Sequence, residues 1–251
     1  TALRIVSGAA ALSLIHLVVS RGGLARSGSW ASAAALFGYA IAFSLAYVRL
    51  DTGVGALTLF GTVQLTMIGW GLYRGNRLGA REWVGLVAAL AGLAYLAVPG
   101  LASIAAGPSA LMALAGACWG IYTLRGRGSA KPLAATADNF VRAVPMALAA
   151  IALAFAFDAP RLSWRGVVLA VASGAAASGV GYAIWYRALR ELSATQAAVV
   201  QLAVPVVAAV GGALLLGEQI SARFAIAGAL ILGGLALALI RIPSPEGRGS
   251  G

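Results

Sequence analysis

Apolar residues run along this chain in long blocks separated by short polar stretches, without the two-residue alternation that marks half-buried strands. A bilayer core of about 30 Å takes roughly 20 apolar residues per helix. Nine blocks approach that length: residues 3–20, 30–48, 53–73, 83–105, 109–124, 140–157, 164–186, 194–216 and 222–240. The pattern predicts an all-α membrane protein. The first block is short and carries Arg4 near its start, as a secretory leader would, but no convincing cleavage site precedes the loop at Arg21, so it is read as a span.

Basic residues are shared unevenly between the loops. One side carries Arg21, Arg26, Arg74, Arg77, Arg81, Arg125, Arg127, Lys131, Arg187, Arg190, Arg241 and Arg248. The other carries Arg4, Arg49, Arg161, Arg165 and Arg223, with Arg142 inside a span, so the count is twelve against five. The positive-inside bias places the richer side, and with it the C-terminus, in the cytoplasm. Nine spans then put the N-terminus outside.

The blocks also repeat. GYAI at 38–41 returns at 181–184, and downstream Ala46, Leu50, Ala56, Gly69, Leu72, Gly75, Ala80, Arg81, Gly92, Leu93 and Ala94 each recur 142 residues later. Spans two to four map onto spans seven to nine, five crossings further on, and an odd displacement inverts the second copy. The fold class expected is therefore an inverted repeat of two five-helix units. Residues 1–107 form the first unit with four spans, 108–242 the second with five, and 243–251 a disordered, polar tail. The symmetric solution has a further helix ahead of Thr1, the first of its unit; a natural nine-span chain is the alternative. Ten spans would put both termini inside.

Composition narrows the function. Hydrophobic residues make up 61% of the 251 and charged ones 10%, with a mean hydropathy of +0.92, against roughly 25% charged in a soluble domain. The net charge of +11 does not point to nucleic acid, because the basic residues stand singly or in pairs between apolar blocks. Cys118 is the sole cysteine and His16 the sole histidine, and seven acids complete a poor inventory for a metal centre or a catalytic triad. No cofactor, metal or catalytic residue is expected. Pro145 and Pro205 lie well inside spans; each leaves the carbonyl four residues earlier, Val141 and Gln201, without its helical donor.

Three stretches then carry a resemblance: ALMALAGACWGIYTLRGRG at 110–128, GYAIWYRALREL at 181–192, and the run from Ala194 to Ile240 containing TQAAVVQLAVPVVAAVGGALLLGEQIS. They resemble the drug/metabolite transporter superfamily in its EamA-domain branch, whose helix with a central proline ends in Gly-Glu. The second unit matches along nearly its full length and the first from its second helix onward. The first unit departs from the pattern, with Val63 at the Pro205 position and Asn76 at the Glu218 position. The resemblance implies ten helices in two inverted five-helix repeats, a central cavity and alternating access. It also implies export of amino acids, other metabolites or drugs, an arrangement in which substrate sits near the midplane.

Candidate substrate-binding residues follow from chemistry and position. His16 is an ionisable group inside a span. Gln64 and Gln201 occupy corresponding helices of the two units, and each offers both donor and acceptor. Tyr39, Trp119, Tyr182 and Trp185 lead an aromatic set, with Phe43, Tyr122 and Tyr186, suited to apolar or cationic groups. Trp30, Trp83 and Trp164, at span starts, read instead as interfacial anchors. Pro205 is a candidate hinge. Arg142 is a possible anion contact, but Asp138 stands four residues earlier, in reach of a local ion pair beside Asn139 at the start of its span. No carboxylate lies deep in a span, which argues against proton-coupled exchange of lipophilic cations.

The function expected is a secondary transporter of small metabolites, amino acids or related compounds, in the inner membrane of a bacterium. Its partners are a small-molecule substrate and the lipid bilayer, not nucleic acid; monomer and homodimer are equally compatible with it. The alternatives are a lipid-modifying membrane enzyme, which would call for clustered His, Asp, Glu or Ser at one interface, and a non-transporting scaffold.

Overall fold

Short capping sequences and prolines set the helix starts in this chain, and small residues set how closely the helices approach. The computed structural model describes residues 1–20, 27–98, 105–127, 129–157, 163–216 and 221–239. Every element among them is helical. In chain order they are α1 (Ala2–Ser20), α2 (Trp30–Ala46), α3 (Thr52–Tyr73), α4 (Ala80–Ala97), α5 (Ala106–Arg127), α6 (Pro132–Phe157), α7 (Trp164–Ala172), α8 (Gly181–Ala188), α9 (Ala194–Gln201), α10 (Val204–Leu216) and α11 (Ala222–Leu239). A π-helical stretch, Ser173–Val180, joins α7 to α8 without a turn.

Ser29, Asp51 and Ser163 cap α2, α3 and α7 through their side-chain oxygens. Ser193 and Gln196 close a reciprocal capping box on α9. Where nine spans were expected, six helices of the described residues, with 164–191 taken as one, are long and apolar enough to cross a bilayer; α2 and the 194–208 segment are apolar but shorter. Helix α6 begins at Pro132, eight residues before the expected start of its span, and so carries Asp138, Asn139 and Arg142 in its second and third turns. A proline at the first helical position gives up only an amide that has no helical acceptor. The tail 243–251, residues 99–104 and the Gly-Glu pair at 217–218 lie outside the described residues.

The expected span 194–216 is two helices. Backbone bonds tighten at the end of α9, from Leu202 to Val199 and from Ala203 to Val200, and α10 resumes at Val204. Pro205 has no amide to offer the Gln201 carbonyl, so the regular ladder stops there. In α3 the chain runs unbroken through Val63.

Helix α5 lies against both α2 and α3, α1 lies between α6 and the π-helical stretch, and α4 packs along α11. The last pair is glycine-tight: a Cβ on Gly85 would run into the Gly234 carbonyl oxygen, and one on Gly92 would meet that of Ala227 at 2.8 Å. These two contacts exchange under the 142-residue offset, since Gly85 and Gly234 become Ala227 and Gly92 with their helices swapped. Large apolar side chains remain exposed around the outside, among them Leu65, Phe157, Trp164 and Leu214 at 77–84%. A protein facing water would seldom expose so much apolar surface, whereas a bilayer accommodates it.

Candidate functional site

The aromatic residues of α2, α5 and α8 converge. Tyr39 and Phe43 of α2 and its C-cap residue Tyr47 follow one another at four-residue spacing, with ring centroids 5.5 and 4.7 Å apart. Trp119 of α5 reaches Tyr39 at 5.0 Å and Tyr182 of α8 at 5.3 Å. Tyr182 in turn meets Phe140 of α6 edge-on at 5.1 Å, and Tyr122 and Tyr186 close the set at 5.5 Å. Tyr39, Phe43, Tyr47 and Trp119 stay partly accessible although they sit on inward helix faces. Tyr182 and Tyr186 are buried behind them.

Polar groups reach this cluster from the α3–α9 crossing. The Trp119 Nε1–H donates to Gln201 Oε1. Gln201 Nε2 donates to the Ala197 carbonyl at 2.9 Å and lies 3.4 Å from Met67 Sδ. Gln64 Nε2 donates to the Ala198 carbonyl at 2.7 Å. Each glutamine therefore grips the opposite helix three residues from the other glutamine. Both are buried, and Gln64 Oε1 has no hydrogen-bond partner among the described residues. Such an oxygen costs about 1–3 kcal/mol. Trp185, on α8, packs outside the stacked set, and its Nε1–H is likewise buried and unpartnered.

An arginine adjoins the cluster that the loop-charge count assigned to the outer loops. Arg4 lies in the first turn of α1 and donates through Nε to Ser178 Oγ of the π-helical stretch at 3.1 Å. Among the described residues the ionisable side chains near its guanidinium are Tyr39, whose hydroxyl is within hydrogen-bond reach, and Tyr182. Its backbone is pressed on the π-helical stretch, since a Cβ on Gly174 would collide with Ser7 Oγ and the Arg4 carbonyl. Isolated π-turns occur often at functional sites; here the stretch brings Ser178 to Arg4 and leads directly into Tyr182.

Two of the expected site residues lie elsewhere. His16 is buried three turns further along α1, about 18 Å from Arg4 at 1.5 Å per residue. Its Nε2 lies 3.3 Å from Ser20 Oγ, and it lines a separate groove of about 840 Å³ with Lys131, Arg187, Arg190 and Glu191. Arg142 is held by Asp138 through two bonds of 3.1 and 3.2 Å and lies 5.3 Å over the Trp30 ring. Asp138 Oδ2 also accepts from the Gly28 amide at 2.8 Å, and Asn139 Oδ1 from the Ser29 amide at 2.9 Å, so this end of α6 fastens the entry to α2. The anion contact expected of Arg142 is thus supplied from within the chain. Pro205 sits one turn beyond Gln201, where the helix breaks.

Tyr39, Trp119, Tyr182 and Gln201 are brought together, with Gln64 at the adjoining crossing. Arg4, Ser178, Phe140 and Tyr47 were not singled out from the sequence. A signal for Arg4 was present: an arginine immediately followed by an apolar run belongs to the helix as readily as to the loop.

A bundle of helices with an apolar outer surface around an aromatic and amide-bearing interior defines a polytopic membrane protein. The sequence pattern of the EamA-like transporter family matches residues 108–240, and the chain belongs to that family of membrane transporters. It is 50% identical over 239 residues to the uncharacterized protein PA1977 of Pseudomonas aeruginosa, a match covering 95% of this chain and 83% of that protein. A protein of known crystal structure shares the fold with a TM-score of 0.77 at 22% identity, over 95% of this chain and 85% of the other.

Proposed function

We propose that this chain is a secondary transporter that moves small metabolites, amino acids or related compounds, out of the cell by alternating access. The observation that carries this reading is the position of Trp119. One indole touches aromatic rings of α2 and α8 and donates to Gln201 of α9, so a solute at that point contacts four segments of the bundle at once. Gln64 Oε1, buried and unpartnered, offers that solute an acceptor.

Two features support a moving mechanism. The α4–α11 contacts exchange under the repeat offset, as expected of two inverted units rocking about a shared seam. The break between α9 and α10 supplies a point of flexion at Pro205 directly after Gln201, with a carbonyl that lacks a helical donor. The uneven loop charges favour a cytoplasmic C-terminus in a bacterial inner membrane. The cluster is built for reversible holding, and transport rather than catalysis is its role.

Counterflow in proteoliposomes tests this. Vesicles containing the purified chain and preloaded with mixed amino acids should take up labelled ones with saturable kinetics. Gln201→Ala and Trp119→Ala should abolish that uptake while the protein stays monodisperse. Uptake that rises linearly with concentration, or that both variants retain, would contradict the proposal.

A further inference from the structure

We propose that Arg4 is the receptor for a carboxylate of the transported compound, so that the substrates are small organic carboxylates with an apolar body. This rests on the transporter reading and adds the chemical class.

A guanidinium carries five N–H donors and keeps its charge at any physiological pH. Arg4 commits Nε to Ser178 and has the Tyr39 hydroxyl within hydrogen-bond reach, but no carboxylate among the described residues pairs with it. The described residues hold a single ion pair, and it belongs to Arg142. Among the described elements around Arg4, α1, α2, α7, α8 and the π-helical stretch contain no aspartate or glutamate, and the one acid of α6, Asp138, is already engaged by Arg142 and the Gly28 amide. Tyr39 and Tyr182, which face it, are phenols rather than carboxylates. A cation among apolar helices without a counter-charge is costly to keep. Its mount is nevertheless built, by the Ser178 hydrogen bond and by the close seat of α1 on Gly174.

A carboxylate satisfies this site by accepting two parallel N–H bonds from the guanidinium edge. One unit of negative charge matches one guanidinium, whereas a dianionic phosphate would bring a second charge that Arg4 alone does not balance. Tyr39 and Tyr182 stand between Arg4 and Trp119. A ligand held at Arg4 therefore lays its apolar portion along those rings.

The test is thermal stabilisation of the purified full chain by a panel of the protein amino acids, each beside its carboxamide. At least one acid should raise Tm where its amide does not. Arg4→Gln should weaken that acid roughly 10- to 100-fold, and Arg4→Lys should recover part of the loss. Ser178→Ala keeps the charge and loosens its mount; it should weaken the acid several-fold and leave the amide unchanged, which covers the case of an Arg4→Gln protein that does not fold. Stabilisation by acid and amide alike, by no acid, or equally in Arg4→Gln would overturn the proposal. Counterflow separates the two readings. An acid bound through Arg4 but never carried would defeat transport and leave the site. Saturable flux indifferent to Arg4→Gln and Ser178→Ala would do the reverse.

Discussion

Arg142 and Arg4 stand on two helices that pack together, α6 and α1, in opposite electrostatic circumstances. Arg142 meets Asp138 through two bonds and Trp30 through its ring face, and the same carboxylate reaches the Gly28 amide. Charge, counter-charge and helix entry form one closed unit that asks for nothing further. Arg4 is held by the Ser178 hydroxyl and faced by the phenols of Tyr39 and Tyr182, with no carboxylate beside it among the described residues. A charged side chain inside a bundle thus says little by itself about function. What separates a structural arginine from a receiving one is whether its counter-ion is already part of the chain.

That difference can be broken from the Arg142 side. Asp138→Ala should have the largest effect on stability, because it leaves Arg142 without its partner and Gly28 without its acceptor at once. For side chains 23% and 13% exposed, the loss should be about 2–3 kcal/mol, below that for a fully buried pair, read as a fall in Tm in detergent. Arg142→Gln leaves Asp138 bound to Gly28 and should cost about 1 kcal/mol. Neither variant should alter the KM of the transported compound beyond the error of the assay.

Smaller changes sharpen the contrast. Ser178→Ala should raise KM about 5-fold, as for the loss of one hydrogen bond, with little change in Tm. Trp30→Ala removes the ring beneath Arg142 and should lower stability by about 0.5–1 kcal/mol with transport unchanged. A KM shift from Trp30→Ala, or a silent Ser178→Ala, would show that the two arginines do not divide their roles in this way.

Much of this architecture is legible in the sequence because lipid imposes long apolar blocks and because proline acts through a missing amide. The all-helical, apolar build and the lost helical bond at Pro205 follow from such local rules, although six of the described helices rather than nine are long and apolar enough to cross a bilayer and 194–216 is two helices instead of one. The start of α6 does not: Thr136, Asp138 and Asn139 lower the polarity contrast that marks a span, although Pro132 announces a first helical position. The site is only partly readable. The repeat identifies which helices correspond, and so directs attention to Gln64 and Gln201, but it does not say which faces meet. The bond from Trp119 to Gln201 depends on the rotation of α5 against α9, which no spacing in either segment encodes. The π-helical stretch is composed of small residues that suit any helix, and so the contact that seats Arg4 leaves no mark before the chain is folded.

The most direct measurement is counterflow by Arg4→Gln and Arg142→Gln side by side, each checked for a monodisperse fold, with a labelled amino acid that the unmodified chain takes up. Arg142→Gln should retain saturable uptake at the original KM while Arg4→Gln loses it. Equal loss in both, or equal retention, would contradict this division between the two arginines.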